Sequence, residues 1–286
     1  WGIIKPIRDS MENKYQWCIA AVPGKKWAKK VFPELSGDEA VEKLWEAILY
    51  TSRAEHDGVA AWRAHNAELK SRCGHLNALK LRRLHYCSSN GTDLTVGLIP
   101  EAQFMAGAEE TLGAGVTFNP NIPSEEVFTS PMKGEAEGIV YSTRPLSYRG
   151  TMIENFSIRF ENGRVSEVRA EKGEEALRTL VSMDEGAGML GECALVPYDS
   201  PIRNSGIMFY NTLFDENAAC HLALGDGFAN CIRNYDKYTL EQCREMGINM
   251  SMIHEDFMIG SEDLDITGTT ESGETVQIFK NGNWAF

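Results

Sequence analysis

Ile153-Glu154-Asn155-Phe156-Ser157-Ile158-Arg159-Phe160, continued by Glu161-Asn162-Gly163-Arg164 and then Val165 to Ala170, decides what kind of chain this is. Residues alternate here with the period of two that sends successive side chains to opposite faces of a strand. Asn162-Gly163 supplies the turn chemistry of a tight hairpin, so two antiparallel strands are expected. Working outward, Gly138-Ile139-Val140-Tyr141-Ser142 reads as another strand, and Glu171 to Ser182 changes to helical spacing through Ala176, Leu177 and Leu180. From about residue 110 onward the texture is rich in strands and turns.

The preceding part reads differently. Trp17 to Val22 is an apolar run closed by Pro23-Gly24, which suggests a buried strand. Lys26 to Val31 is expected to be a helix. Ser36-Gly37-Asp38-Glu39 is a helix-start signal, after which Ala40, Leu44, Trp45, Ile48 and Leu49 recur at helical spacing. A longer helix is expected from Gly58 to Leu79, then a turn at Ser88-Ser89-Asn90-Gly91 and a strand at Leu94 to Leu98. The expected fold is therefore mixed α/β (α+β), with an α/β unit at 1–110 and a strand-rich unit at 111–286.

Composition narrows the function classes. The chain has 286 residues, 43% of them hydrophobic, enough to bury a large core. No apolar run approaches the ~18 residues of a membrane span. The 7 cysteines are odd in number and scattered without a CxxC pair, which argues against a disulfide framework and points to a reducing cytoplasm. A net charge of -13 is opposite in sign to a nucleic-acid-binding footprint, and part of that acidity is suited to bound cations. The chain opens at Trp1-Gly2-Ile3-Ile4-Lys5 without an initiator Met or signal-peptide regions, as a fragment or processed chain would.

Acidic residues and imidazoles concentrate in Phe214-Asp215-Glu216-Asn217-Ala218-Ala219-Cys220-His221 and His254-Glu255-Asp256. Imidazole nitrogen and carboxylate oxygen are the usual ligands of Zn²⁺, Co²⁺ and Mn²⁺. His254 and Asp256, two apart in an extended segment, would share a face and could grip one ion; an exposed pair on a turn fits the same spacing. Glu216 and His221 would lie about 140° apart on a helix, so they converge only if Glu216 sits at the helix start. Asp215-Glu216-Asn217 could equally serve as a helix cap. Glu192 lies between glycines and apolar residues, where a carboxylate needs a cation or a donor, and Glu126 precedes Val127-Phe128 in a similar way. Either could instead be a surface or cap residue. His56, His65, His75 and His85 lack acidic partners at ligand spacing and read as structural, Cys220 as a buried thiol. Nucleophile-elbow, Walker and dinucleotide-loop motifs are all absent.

Glu125-Glu126-Val127-Phe128-Thr129, Gly191-Glu192, Phe209 to His221, His254 to Gly260 and Asn281-Gly282-Asn283-Trp284 together resemble the M29 family of metalloaminopeptidases, in order and in spacing. The resemblance reaches more loosely upstream through Ala60-Ala61-Trp62 and Gly91-Thr92-Asp93-Leu94. It implies that residues 1–110 are the remainder of an N-terminal domain, that the usual first third is missing, and that 111–286 is the metallopeptidase domain. By position it implies Glu126, Glu192, Glu216, His221, His254 and Asp256 as ligands of two divalent ions (Zn, Co or Mn). Glu192 is implied as the catalytic carboxylate. Where the family carries a tyrosine, seven residues after His221, this chain has Phe228. A phenol there could stabilise an oxyanion, a role open to Tyr235 or Tyr238 as substitutes.

The resemblance implies an aminopeptidase that uses a metal-activated water on peptides with a free N-terminus, assembled as a homodimer, with no nucleic-acid or membrane partner. Two other readings stay open on sequence alone. Phe228 would suit a catalytically reduced or silent metal-binding homologue, and the same donor set would serve a metal-dependent amidase.

Overall fold

A computed structural model describes residues 14–286; the Trp1-to-Lys5 start lies outside them. In the first part, β1 (Ile19–Ala20) is followed by helices Lys25–Val31, Gly37–Thr51 and Gly58–Ala78, then β2 (Leu81–Cys87) and β3 (Asp93–Leu98). Short strands β4 (Glu109–Glu110), β5 (Thr117–Phe118), β6 (Asn121–Ile122) and β7 (Val127–Thr129) lead into β8 (Pro131–Tyr141), β9 (Leu146–Tyr148), β10 (Thr151–Glu161) and β11 (Arg164–Lys172). Helix Glu174–Val181 precedes β12 (Leu190–Leu195), and helix Thr212–Glu216 precedes β13 (His221–Gly225). The chain closes with β14 (His254–Met258), β15 (Asp265–Thr270), β16 (Thr275–Lys280) and β17 (Asn283–Trp284).

Two antiparallel sheets organise these strands. The larger runs β11-β10-β8-β3-β2-β15-β16-β17, with β9 also on β10, and the smaller runs β14-β13-β12-β7. The expected hairpin is present: Glu161 pairs Arg164, and Asn162 and Gly163 hold φ of 52° and 75°, the left-handed values a two-residue turn needs. Helix Gly37–Thr51 starts where its signal stands, on a capping box between Ser36 and Glu39 that satisfies otherwise orphaned amides. β2 and β3 precede residue 110 yet pair directly with β15 and β8, so the large sheet draws on both sides of the expected division.

The main core lies between the sheets. Tyr86, Val96, Phe156 and Ile158 of the larger sheet pack in one cluster with Cys193, Leu195, Leu222, Leu224 and Phe257 of the smaller. A second cluster joins the N-terminal helices to the segment that carries Glu216: Ala28, Leu44 and Ile48 pack with Ile202, Phe209 and Phe214. Two expectations need correction. Trp17 to Val22 forms only the two-residue β1 and is not buried, with Ile19 54% and Val22 75% exposed. Trp17 and Ile19 line the cavity, while Ala21 packs against the second core cluster. Glu216 does not start a helix; it ends one, and His221 begins a strand, because the chain leaves helical geometry at Asn217.

Candidate metal centre

The register of the smaller sheet lines up the chemistry. Ala223 of β13 lies between Glu192 on β12 and Asp256 on β14, Gly225 lies opposite His254, and His221 is two residues before Ala223. By the period of two these four candidate side chains stand on one face of three neighbouring strands. The other face carries Leu222, Leu224 and Phe257 into the core. Ala223 and Gly225, small residues in the middle strand, leave the space between the acidic strands open. Gly225 has no substitute: its φ is 101°, and an added Cβ would sit 2.2 Å from the Ile253 carbonyl oxygen.

Both imidazoles are aimed by backbone carbonyls. His221 Nδ1 lies 3.1 Å from the Ala219 oxygen and His254 Nδ1 2.7 Å from the Asp226 oxygen. A carbonyl only accepts, so Nδ1 carries the proton in each ring and Nε2 faces the site. That is the arrangement by which metal-ligating histidines are commonly oriented. His221 Nε2 lies 3.1 Å from Glu126 Oε2, and His254 Nε2 lies 3.2 Å from Glu192 Oε2 and 3.4 Å from Asp256 Oδ1. Glu126, Glu192 and His221 bring one donor atom each within 4.8 Å of one another, as do Glu192, His254 and Asp256; Glu192 belongs to both groups. Glu216, at the end of its helix, and Glu109 also line the cavity.

These residues fit a divalent cation on the chemistry of the donors. All are N or O atoms, Asp256 Oδ1 is buried without a hydrogen-bond partner, and among the described residues lining the cavity none is Lys or Arg. The protein's own groups strain to balance this charge. Burial pushes Glu192 up to about 7, assisted by the charges of Glu126 and Asp256 and opposed by His254. Burial, then Asp256 and Glu126, raises Glu216 well above the usual carboxylate range. Burial opposes protonation of His221, but Glu126, Asp256 and Glu192 outweigh it and push the ring up to about 10. His254 is raised against the same burial, chiefly by Asp256 and Glu192, and burial pushes Asp256 up but His254, His221 and Glu216 together hold it below its ordinary value.

The cavity measures about 670 Å³, and beside its ionic groups it is lined by Trp17, Ile19, Phe128, Leu213 and Phe228. The Phe228 ring lies 4.8 Å from that of His254 and 5.7 Å from that of Phe128, while its backbone N–H donates to Ser130 Oγ. Tyr235 and Tyr238 are not among the lining residues. His65, expected to be structural, bonds the Ser124 carbonyl at 2.7 Å and sits 3.9 Å from Glu125. Cys220 is a buried thiol that donates to the Val196 carbonyl.

Several residues that shape the candidate site have no motif of their own in the sequence. Arg53 forks onto Glu125, and Asn217 bonds the Glu125 backbone; neither contact has a local signature. Ala223 and Gly225 did have one, since His-Leu-Ala-Leu-Gly places small residues at strand period from a candidate ligand.

Comparison with known proteins follows the same lines. The profile of the family Thermophilic metalloprotease (M29) matches residues 3–284. Aminopeptidase AmpS of Bacillus subtilis is 48% identical over 275 residues, covering 96% of this chain and 67% of that protein. Aminopeptidase T of Thermus thermophilus is 46% identical over 282 residues, covering 98% of this chain and 68% of that protein. The solved structure of wild-type AmpT from Thermus thermophilus superposes with a TM-score of 0.89 at 43% identity, covering 99% of this chain and 68% of that one. The chain thus spans about two thirds of the length of these relatives.

Proposed function

The chain belongs to the thermophilic metalloprotease (M29) family, and from that premise we propose that its cavity is the active site of a metal-dependent aminopeptidase working with two divalent ions. The observation that carries the reading is the donor set: two imidazoles aimed through Nε2 and four carboxylates, Glu126, Glu192, Glu216 and Asp256, with no Lys or Arg beside them among the described residues of the cavity lining. Two divalent cations match the formal charge of those four carboxylates. Bound there, such ions supply a water of lowered pKa and polarise the scissile carbonyl. Zn²⁺, Co²⁺ and Mn²⁺ all suit N and O donors.

The chain's own residues do the rest. Glu126 and His221 would hold one ion and His254 and Asp256 the other, and Glu192, common to both donor groups, would accept the proton of a water activated between them. Glu216 adds its carboxylate from the helix end. The acidic floor attracts the substrate's α-ammonium, while Phe128, Leu213, Trp17 and Ile19 receive an apolar N-terminal side chain and exclude water. Phe228 has no hydroxyl to donate to the developing oxyanion, so turnover is slower than with a phenol at that position. We place the protein in the cytoplasm as a homodimer, a state that light scattering of the intact protein tests.

The deciding assay is release of p-nitroaniline from leucine p-nitroanilide before chelation, after it, and after Co²⁺ or Zn²⁺ is restored. Activity should vanish with chelation, return with the ion, and fail on the N-acetylated substrate. Hydrolysis that survives chelation, or equal cleavage of the acetylated compound, would overturn the reading in favour of a metal-free or amidase activity.

A further inference from the structure

Four of the candidate ligands are located by the sheet, because Glu192, His221, His254 and Asp256 belong to strands whose ladders fix their positions. Glu126 and Glu216 are not. Glu126 precedes β7 in an irregular segment, and Glu216 is the last residue of a five-residue helix. No ladder sets the distance between them.

Asn217 joins the two segments. It is fully buried, and both ends of its amide are engaged: Oδ1 accepts from the Glu125 backbone N–H at 2.7 Å, while Nδ2 donates to the Leu213 carbonyl at 2.9 Å. Leu213 lies in the helix that ends at Glu216, and Glu125 immediately precedes Glu126. Its own carbonyl accepts from Ser200 Oγ at 3.4 Å, which fixes the residue to the adjoining turn. One side chain therefore spans from the helix bearing one carboxylate to the segment bearing another.

We propose that Asn217 is a positioning residue of the metal centre, setting the separation of the Glu126 and Glu216 carboxylates. This rests on the metal-centre reading above. Groups that orient metal ligands typically cost 10–100-fold in metal affinity when removed. Asn217→Ala is the direct variant. Asn217→Ser keeps a hydroxyl that can bond the Leu213 carbonyl one turn back, folds more readily, and still cannot span to Glu125. Asn77→Ala is the control, since Asn77 also makes two hydrogen bonds, both to the Phe104 backbone, and does not line the metal cavity.

The experiment is calorimetric titration of Co²⁺ into the chelated 286-residue chain, with the visible d–d spectrum of the cobalt protein and thermal unfolding recorded in parallel. Asn217→Ala and Asn217→Ser should weaken at least one Co²⁺ site by about 10–100-fold and change the spectrum. Asn77→Ala should lower stability while leaving affinity and spectrum unchanged. Unaltered Co²⁺ affinity and spectrum in Asn217→Ser overturns the proposal. Failure of the unsubstituted chain to bind Co²⁺ instead removes the metal-centre reading itself.

Discussion

Arg53→Ala should destabilise the fold by far more than a surface charge would. The Arg53 guanidinium meets Glu125 in a two-point fork, with Nη2 to Oε2 at 2.8 Å, and the Glu125 side chain is only 5% exposed. Without Arg53, the ion-pair partner left to that carboxylate is His65, 3.9 Å away. Breaking a buried pair from one side typically costs about 3–5 kcal/mol, because the remaining charge has lost its partner and cannot be solvated. The Arg53 side chain is 24% exposed, so water can partly follow it in, and the lower end, about 3 kcal/mol, is expected. For a chain of this size that corresponds to a fall in Tm of roughly 6 °C, at about 2 °C per kcal/mol.

The assay is thermal unfolding of the chelated protein as a double-mutant cycle with Glu125→Gln. The double variant should recover most of the loss, since no buried charge is then stranded. Glu125 adjoins Glu126, so Arg53→Ala should also weaken Co²⁺ binding, a second readout from the same samples. An Arg53→Ala Tm within about 1 °C of the parent would mean that the pair contributes no more than an exposed ion pair, and the reasoning would fail. A double variant no more stable than Arg53→Ala would refute the stranded-charge explanation specifically.

Three further outcomes are expected. Ala223→Leu should abolish Co²⁺ uptake, measured by elemental analysis, because the new side chain rises between Glu192 and Asp256; full metal content in that variant would show the ions sit elsewhere. Phe228→Tyr should raise turnover of aminoacyl anilides, by as much as about 10²–10³-fold if the phenol serves as an oxyanion donor, and an unchanged rate at full metal content would show that the hydroxyl is dispensable. The metal-free protein should lose stability as pH rises. Glu192, raised from 4.5 to about 7, is penalised for ionising across that window, and His221, raised from 6.5 to about 10, loses its charged partners' stabilisation across the next. In both windows the folded state binds more protons than the unfolded, so the two contributions have the same sign. A chelated sample whose Tm is flat or rising between about pH 5 and 9 would contradict this, whereas the Co²⁺-loaded protein should depend on pH much less over that range.

How far the sequence could be read depended on whether a residue's partner lay within its own element. The β10–β11 hairpin was legible because strand period and Asn162-Gly163 turn chemistry both act locally, and His254 and Asp256 share a face for the same reason. β2 was missed: Leu-Arg-Arg-Leu-His-Tyr-Cys follows the preceding helix without a strong break, and its basic residues obscure the alternation. The Trp17 run departs from the expected buried strand because apolar character alone does not decide burial; Trp17 and Ile19 line the cavity and stay exposed. Glu216 and His221 show the limit most clearly. The helical angle between them assumed one continuous element, whereas the chain changes from helix to strand at Asn217–Cys220, and that change brings both side chains to the same cavity. The residue that ends the helix also reaches across to the segment before Glu126. Short-range propensity therefore accounts for the strands that carry four of the candidate ligands, while Glu126 and Glu216 lie on segments joined by the tertiary hydrogen bond of Asn217, which sequence spacing does not encode.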